Sequence, residues 1–212
     1  MLNRALRGTY PPGSTYKPFM AMAALATGKR TAGQTIIDNG SFMFGNHRFR
    51  SHGDHGLGAV DMARSIVQSS NVYYYSLANE MGVDLMFEQM SPLGFGRRTG
   101  IDVEGESTGI LPSTEWKRKA YRRPEQKRWY AGETISLGIG QGYNNFTMLQ
   151  LALALLELAR RCRALGRDLF QLRDALDRPA VEQDVEQLLE VVDDAALLAH
   201  GLAECRGAEI VA

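Results

Sequence analysis

The sequence contains only two cysteines, Cys162 and Cys205, and no long apolar run. Two cysteines are too few for the disulfide framework of a small secreted domain. No stretch reaches the roughly 18 uninterrupted apolar residues that a membrane-spanning helix needs. The formal net charge is +0, so the total charge does not predict a nucleic-acid or membrane-surface partner. From composition we expect no nucleic acid as a partner and no membrane segment in this chain.

The end of the chain lacks a large part of the amino-acid alphabet. Residues 152–212 contain no Ser, Thr, Asn, Lys, Tyr, Trp or Met. They carry 7 basic and 12 acidic residues, against 17 and 12 in residues 1–151. Their Ala- and Leu-rich runs have helical periodicity but no motif. We therefore divide the chain into a first region, 1–151, and a helical tail of low diversity, 152–212. We hypothesise that the tail is the translation product of GC-rich DNA that is read out of frame.

The first region is predicted to be mostly helical. After a Pro- and Gly-rich turn at residues 8–13, a buried helix is expected from Ser14 to Ala26, and Gly45-Asn46 predicts a hairpin between short strands of residues 34–51. Residues 94–132 are rich in loop-forming residues, and we interpret their basic stretch, Lys117–Arg128, as a solvated surface segment. Further helices are predicted over 61–69 with Asp61 as N-cap, over 71–81, over 84–90 and from 147 onward.

A Ser-x-x-Lys pattern, Ser14-Thr15-Tyr16-Lys17, opens the first helix. Residues three apart on a helix share a face, so the hydroxyl and the amine lie within reach of a hydrogen bond. A serine needs a base to become a good nucleophile, and a lysine can be that base when burial keeps it neutral. On its own the pattern is weak, because a helix cap followed by a surface lysine has the same spacing.

A second pattern, Ser69-Ser70-Asn71, lies at the junction of two predicted helices. A second hydroxyl there can relay protons, and an amide can both donate to and accept from a peptide substrate. Ser-x-x-Lys together with such a Ser-x-Asn element is typical of β-lactamases and penicillin-binding proteins. Alone, Ser69 could equally be a helix cap.

The sequence resembles the elongation-type penicillin-binding transpeptidases, the penicillin-binding protein 2 family. The resemblance spans residues 3–151 in order and spacing. The segments that carry it are Arg7–Pro18, Ser69–Tyr75, Gly94–Gly96, Thr99–Asp102, Gly109–Pro112 and Gly138–Tyr143 with Thr147 and Leu149–Leu151. A serine β-lactamase fits less well, because the long 94–132 loop and the tyrosine run match the transpeptidase.

The resemblance implies a role for each motif residue. Ser14 would be the acylated nucleophile, Lys17 its general base, Ser69 the proton relay, and Asn71 the group that holds the substrate backbone. The substrates would be peptidoglycan stem peptides that end in D-Ala-D-Ala, with β-lactams as mimics and the elongation machinery as partner. The family is anchored in the inner membrane with its catalytic domain in the periplasm. The start of this chain, Met1–Arg4, has no apolar signal region, so we expect the anchor to be missing.

The chain also departs from the family pattern. No lysine follows Lys127, so the third family motif, Lys-Thr-Gly or Lys-Ser-Gly, is absent from the chain. In the family this motif binds the substrate carboxylate, and its strand supplies one oxyanion-hole amide. Losing one such donor costs about 10²–10³ in rate. We therefore expect the chain by itself to be inactive as an enzyme. The alternative function is a non-catalytic remnant that at most binds a partner.

Some family members bind zinc near the active site through two Asp, one His and one Cys. Asp38 and His55 match two of these positions, but Ser51 and Ser70 stand at the other two. A tetrahedral site needs four ligands. We therefore predict no metal and no cofactor, and interpret His47, His52 and His55 as loop histidines.

The expected fold is the α+β fold of penicillin-binding proteins and β-lactamases. This chain would hold its helical subdomain and one short β-hairpin, with most of the sheet missing. The apolar face of the Ser14 helix normally packs on that sheet, so we expect it to need other cover. That face comprises Phe19, Met20, Met22, Ala23 and Leu25.

Overall fold

The computed structural model describes residues 3–51 and 55–161. The chain divides into two units, residues 1–151 and residues 152–212. Over its described part, 152–161, the second unit is helical and contains an ion pair between Arg161 Nε and Glu157 Oε1 at 2.9 Å. Most of the predicted low-diversity tail lies outside the described residues. None of the helices within the described ranges has both the length and the apolar character that crossing a bilayer requires.

Helices dominate the first unit, as predicted. The α-helices are α1 Arg4–Arg7, α2 Lys17–Ala26, α3 Met62–Val67, α4 Asn71–Met81, α5 Val83–Met90, α6 Thr114–Ala120, α7 Pro124–Lys127 and α8 Gly132–Ile135, with helical residues again from 148. Three 3₁₀ turns lie at Gly13–Tyr16, Ser91–Leu93 and Ser136–Ile139. The predicted N-cap of α3 is confirmed, since the Asp61 side chain accepts from the Arg64 N–H at 2.8 Å.

Within residues 3–51 and 55–161 the strands are short and form three antiparallel pairs. They are β1 Thr9–Tyr10, β2 Ile36–Asp38, β3 Ser41–Phe44, β4 His47–Arg50, β5 Gly58–Val60 and β6 Phe146–Thr147. The β3–β4 hairpin turns at Gly45-Asn46 as predicted, with Phe44 opposite His47. The β1–β6 and β2–β5 pairs were not predicted, because each joins segments of two or three residues that are far apart in sequence. The α+β class is confirmed.

The Ser14 helix, α2, is covered by aromatic side chains of its own unit. Phe19 is fully buried, and its ring lies 5.2 Å from that of Phe95. The Phe95 ring in turn lies 4.4 Å from the ring of Phe146, which β6 places beside the turn of Tyr16. The expected substitute cover thus comes from within the unit, where Phe19, Met20 and Ala23 are buried, whereas Leu25 is exposed.

The interpretation of Lys117–Arg128 as a solvated segment is wrong for Lys117. Its side chain is buried and its ammonium is paired with the carboxylate of Glu133. The same ammonium lies 5.4–5.5 Å from the ring centres of Trp129, Tyr130 and Tyr143. A single buried cation surrounded by a carboxylate and three rings thus ties α6 to α8. The remaining basic residues of the stretch are exposed.

Candidate active site

Ser14 lies on the 3₁₀ turn Gly13–Tyr16, directly before α2. Gly13 has a φ of 60°, in the left-handed region that glycine adopts without strain. Its N–H donates to the carbonyl of Gly140 at 3.0 Å, and the Thr15 hydroxyl donates to the Pro12 carbonyl at 2.7 Å. These contacts fix the turn and leave the Ser14 side chain exposed.

Lys17 is the first residue of α2, and only 1% of its surface is exposed. Its Nζ donates to the Ser69 carbonyl at 2.6 Å, to Ser69 Oγ at 2.8 Å and to Asn71 Oδ1 at 2.8 Å. An ammonium has three N–H donors, so all of them are used. Burial lowers the pKa of Lys17 to about 8, and the charge of Asp38 opposes that shift.

Ser69 stands between the lysine and the nucleophile. Its hydroxyl accepts from Lys17 Nζ and donates to Ser14 Oγ at 3.0 Å. The prediction that Ser14 and Lys17 lie within hydrogen-bond reach of each other therefore needs correction. The Lys17 backbone N–H donates to the Ser14 carbonyl, but among the described residues no hydrogen bond joins the two side chains, which each contact the Ser69 hydroxyl instead. All four residues of the two motifs, Ser14, Lys17, Ser69 and Asn71, nevertheless meet at one site.

Ser70, the middle residue of the second motif, is also held in place by hydrogen bonds. The Ser70 hydroxyl accepts from the Tyr73 N–H at 3.2 Å and so caps α4. It also donates to Asp38 Oδ2 at 2.6 Å. Sequence reasoning considered Asp38 and Ser70 only as metal-ligand positions and missed this pair. The signal available in the sequence was the serine at the N-cap position of a predicted helix.

A cavity of about 390 Å³ opens beside the exposed hydroxyls of Ser14 and Ser69. It is lined by Ser14, Ser51, His55, Leu57, Gln68, Ser69, Asn71, Ile139 and Gln141. Seven of the nine lining residues are polar, and their hydroxyl, amide and imidazole groups can hydrogen-bond a peptide. Gln68 and Gln141 were not predicted as site residues, although Gln68 directly precedes the second motif and Gln141 lies within the segment Gly138–Tyr143.

No group of three or more His, Cys, Asp or Glu side chains that could hold a metal ion occurs in the part of the chain described by the structure. The buried Asp38 carboxylate already accepts from Ser70 and from the Gly40 N–H at 2.8 Å. His47 is exposed and packs on the Phe49 ring, His55 lines the cavity, and His52 lies outside the described residues.

Comparison with known proteins decides the family. The sequence model for the penicillin-binding protein transpeptidase domain matches residues 1–163. The chain belongs to this transpeptidase family. The resemblance to penicillin-binding protein 2 is confirmed by both relatives and solved structures, which are described next.

Relatives of this chain include proteins whose names state an activity. Peptidoglycan D,D-transpeptidase MrdA of Escherichia coli K12 is 39% identical over 160 residues, which are 74% of this chain and 25% of that protein. The protein of the same name from Acinetobacter baumannii is 44% identical over 156 residues, covering 73% of this chain and 23% of that protein. The chain thus spans about a quarter of the length of these curated relatives.

Two solved structures are also similar to this chain. Pseudomonas aeruginosa PBP2, in complex with WCK 5153, has a TM-score of 0.70 and 42% sequence identity, over 74% of this chain and 36% of that chain. Helicobacter pylori PBP2, in a complex with MreC, has a TM-score of 0.65 and 32% identity, over 71% of this chain and 27% of that chain.

Proposed function

We propose that this chain is the acylation half of a peptidoglycan D,D-transpeptidase, with Ser14 as the nucleophile. The observation that carries the proposal is the chain of contacts from Ser14 Oγ through Ser69 Oγ to Lys17 Nζ, with steps of 3.0 and 2.8 Å. A nucleophilic hydroxyl, a relay and a buried amine are the elements that serine acyl transfer needs. The relatives named D,D-transpeptidase support the substrate class.

Acylation begins with the lysine in its neutral form. Because the pKa of Lys17 is about 8, roughly one lysine in ten is neutral at pH 7. Loss of one proton frees a lone pair on Nζ, and the Ser69 hydroxyl then turns to donate to it. Ser14 passes its proton to Ser69 Oγ as Oγ of Ser14 attacks the carbonyl carbon between the two terminal D-alanines. The Ser69 proton moves to Lys17 at the same time.

Collapse of the tetrahedral intermediate breaks the C–N bond. The proton held by Lys17 returns through Ser69 to the leaving amine of the terminal D-alanine, and an ester on Ser14 remains. An amine of a neighbouring stem peptide then attacks this ester and gives up a proton to the same base. Ser14 regains its proton as it leaves, so each proton taken is returned. A β-lactam would acylate Ser14 by the same attack, with its ring C–N bond broken and its own acyl group left as a persistent ester.

Asn71 is proposed to hold the substrate backbone. Its Oδ1 accepts from Lys17, so the Nδ2 group is left to donate to a substrate carbonyl at the cavity. The nucleophile's own N–H would provide one oxyanion donor, as in the family. By the same family reasoning the protein would act at the periplasmic face of the inner membrane with elongation proteins. The complex of a relative with MreC supports this partnership.

We also propose that the 212-residue chain by itself turns over poorly. None of its five lysines is followed by Thr-Gly or Ser-Gly, so neither the carboxylate site nor the second oxyanion donor of the family is encoded. Loss of one oxyanion donor alone costs about 10²–10³ in rate. The alternative, a non-catalytic remnant or partner-binding fragment, makes the same statement about this chain but not about its motifs.

The experiment that separates these proposals uses a completed protein. Here residues 3–151 replace the matching segment of the Pseudomonas aeruginosa PBP2 transpeptidase, which supplies the missing third motif. Transpeptidation of a D-Ala-D-Ala stem peptide is measured for the completed protein and for the 212-residue chain. We expect turnover only in the completed protein. A completed protein that folds and is inactive would contradict the transpeptidase proposal, and turnover by the chain alone would contradict its proposed inactivity.

A further inference from the structure

A buried carboxylate that the proposed mechanism does not use lies behind the second motif. Asp38 ends β2, is fully buried, and accepts hydrogen bonds from the Ser70 hydroxyl at 2.6 Å and from the Gly40 N–H at 2.8 Å. Ser70 is buried as well and stands between Ser69 and Asn71, the two residues that hold Lys17. The pair therefore connects β2 to the groups around the base.

We propose that Asp38 is a positioning residue for the Lys17 base: through Ser70 it holds the Ser69–Asn71 turn, and it supplies a buried negative charge that acts on the lysine. This inference rests on the proposed role of Lys17. It assigns to Asp38 neither contact with substrate nor a bound metal ion.

The backbone of the turn needs such support. Ser69 has a φ of 53° and is the only non-glycine residue with a positive φ in the part of the chain that the structure describes. A residue with a Cβ adopts this conformation only when its surroundings impose it. The Ser69 N–H donates to the Ile66 carbonyl at 3.1 Å and the Ser70 N–H to the Ser65 carbonyl at 2.9 Å. The Ser70 hydroxyl adds the link to Asp38.

The result of this conformation is a site with three acceptors. The carbonyl and hydroxyl of Ser69 and the amide oxygen of Asn71 all lie within 2.8 Å of Lys17 Nζ. Turning Ser69 to an ordinary negative φ would move its carbonyl and its side chain together. The ammonium would then lose two of its three acceptors, and the relay to Ser14 would lose its middle member.

The charge of Asp38 has a separate effect. Burial lowers the pKa of Lys17, and the negative charge of Asp38 opposes that shift. Within the part of the chain that the structure describes, the other groups near the lysine do not offer a negative charge: the ring of Tyr74 lies 5.6 Å from Nζ with its phenol pKa raised by burial, and His55 lines the adjoining cavity. Replacing Asp38 by Asn keeps the shape and removes the charge, so the Lys17 pKa should fall further.

The first test is a titration of the lysines of the full 212-residue chain by ¹³Cε NMR. With only five lysines in the sequence, Lys17 is assigned by the loss of its signal in Lys17→Arg. We expect a midpoint of about 8 in the parent protein and a midpoint lower by roughly one unit in Asp38→Asn. Asp61→Asn is the matched control, because Asn also caps a helix and Asp61 does not act on Lys17. An unchanged midpoint in a folded Asp38→Asn protein overturns the electrostatic role.

The second test keeps the carboxylate and removes its link. Below the midpoint, three hydrogen bonds should slow exchange of the Lys17 ammonium with water enough to give a ¹⁵Nζ signal. We expect Ser70→Ala to lose this signal and Ser70→Thr, which keeps the hydroxyl, to retain it. A signal that persists in Ser70→Ala overturns positioning through Ser70, and this test decides that role even if Asp38→Asn does not fold.

Neither test depends on acylation. A protein that is never acylated at Ser14 would therefore contradict the proposed function while the lysine titrations still decide the role of Asp38.

Discussion

Lys17 donates to Ser69 twice, to the carbonyl oxygen at 2.6 Å and to the hydroxyl at 2.8 Å. The left-handed backbone of Ser69 brings both oxygens to the same side of the residue. The hydroxyl is thereby held within hydrogen-bond distance of Ser14 Oγ, 3.0 Å away, so Ser69 connects the base to the nucleophile.

Ser69→Ala should slow acylation severely. The substitution removes the group that touches both Ser14 and Lys17, and a positioned proton-transfer group contributes about 10²–10⁴ in rate. The measurement is the second-order rate constant of β-lactam acylation in the completed protein. Ser91→Ala, on the 3₁₀ turn that follows α5, serves as the matched control and should retain the parent rate. A Ser69→Ala rate within a factor of about three of the parent would contradict the relay.

Acylation should accelerate as the pH is raised through about 8. Only neutral Lys17 can accept a proton, and burial lowers its pKa to about 8, so the neutral fraction grows through that pH. The rate constant of β-lactam acylation measured between about pH 6 and about pH 10 should rise tenfold per pH unit at first and then level off. A pH-independent rate over this range would show that a lysine with this pKa is not the base.

Lys117→Met should destabilise the fold by about 2–3 kcal/mol, because it leaves the Glu133 carboxylate without the cation that pairs with it. Lys119→Met is the matched control. It breaks an exposed, solvent-screened pair with Glu115, so its cost should be much smaller than that of Lys117→Met. The free energy of unfolding is measured in urea for both variants. Equal effects of the two substitutions would mean that the burial of Lys117 does not matter.

Gly140→Ala should disturb the nucleophile turn. The residue has a φ of 67°, and a Cβ there would overlap the carbonyl oxygen of Gly13. Gly28 has a φ of 66° with open space around it, so Gly28→Ala isolates the conformational cost, about 1 kcal/mol. In urea unfolding, we expect Gly140→Ala to lower the free energy of unfolding by at least about 2 kcal/mol more than Gly28→Ala does. Equal losses would show that contact with Gly13 is unimportant.

Local signals in the sequence were sufficient for much of the fold. Gly45-Asn46 predicted the hairpin, and Asp61 predicted the start of α3, because turns and caps depend on a few adjacent residues. The motif residues Ser14, Lys17, Ser69 and Asn71 were predicted from spacing and from the family resemblance, and the structure brings them together.

Other features depend on contacts between distant segments. Two residues of β1 pair with two of β6, which carries no local strand signal. Lys117 lies in a basic stretch whose composition predicts a solvated surface segment. Its burial is explained only by the folded positions of Glu133 and of the aromatic rings at residues 129, 130 and 143. Spacing alone could not place Ser69 between Ser14 and Lys17, since spacing within one helix does not show what a second segment inserts. The family resemblance implied a relay at Ser69.

The central claim is that Ser14 is acylated with Lys17 as the base. The most direct measurement is mass spectrometry of the completed protein after reaction with penicillin, followed by peptide mapping of the adduct. We expect one adduct per chain on the peptide that contains Ser14, none in Ser14→Ala, and a severely reduced rate in Lys17→Ala. An adduct that forms equally well in Ser14→Ala, or that maps to another residue, would contradict the account.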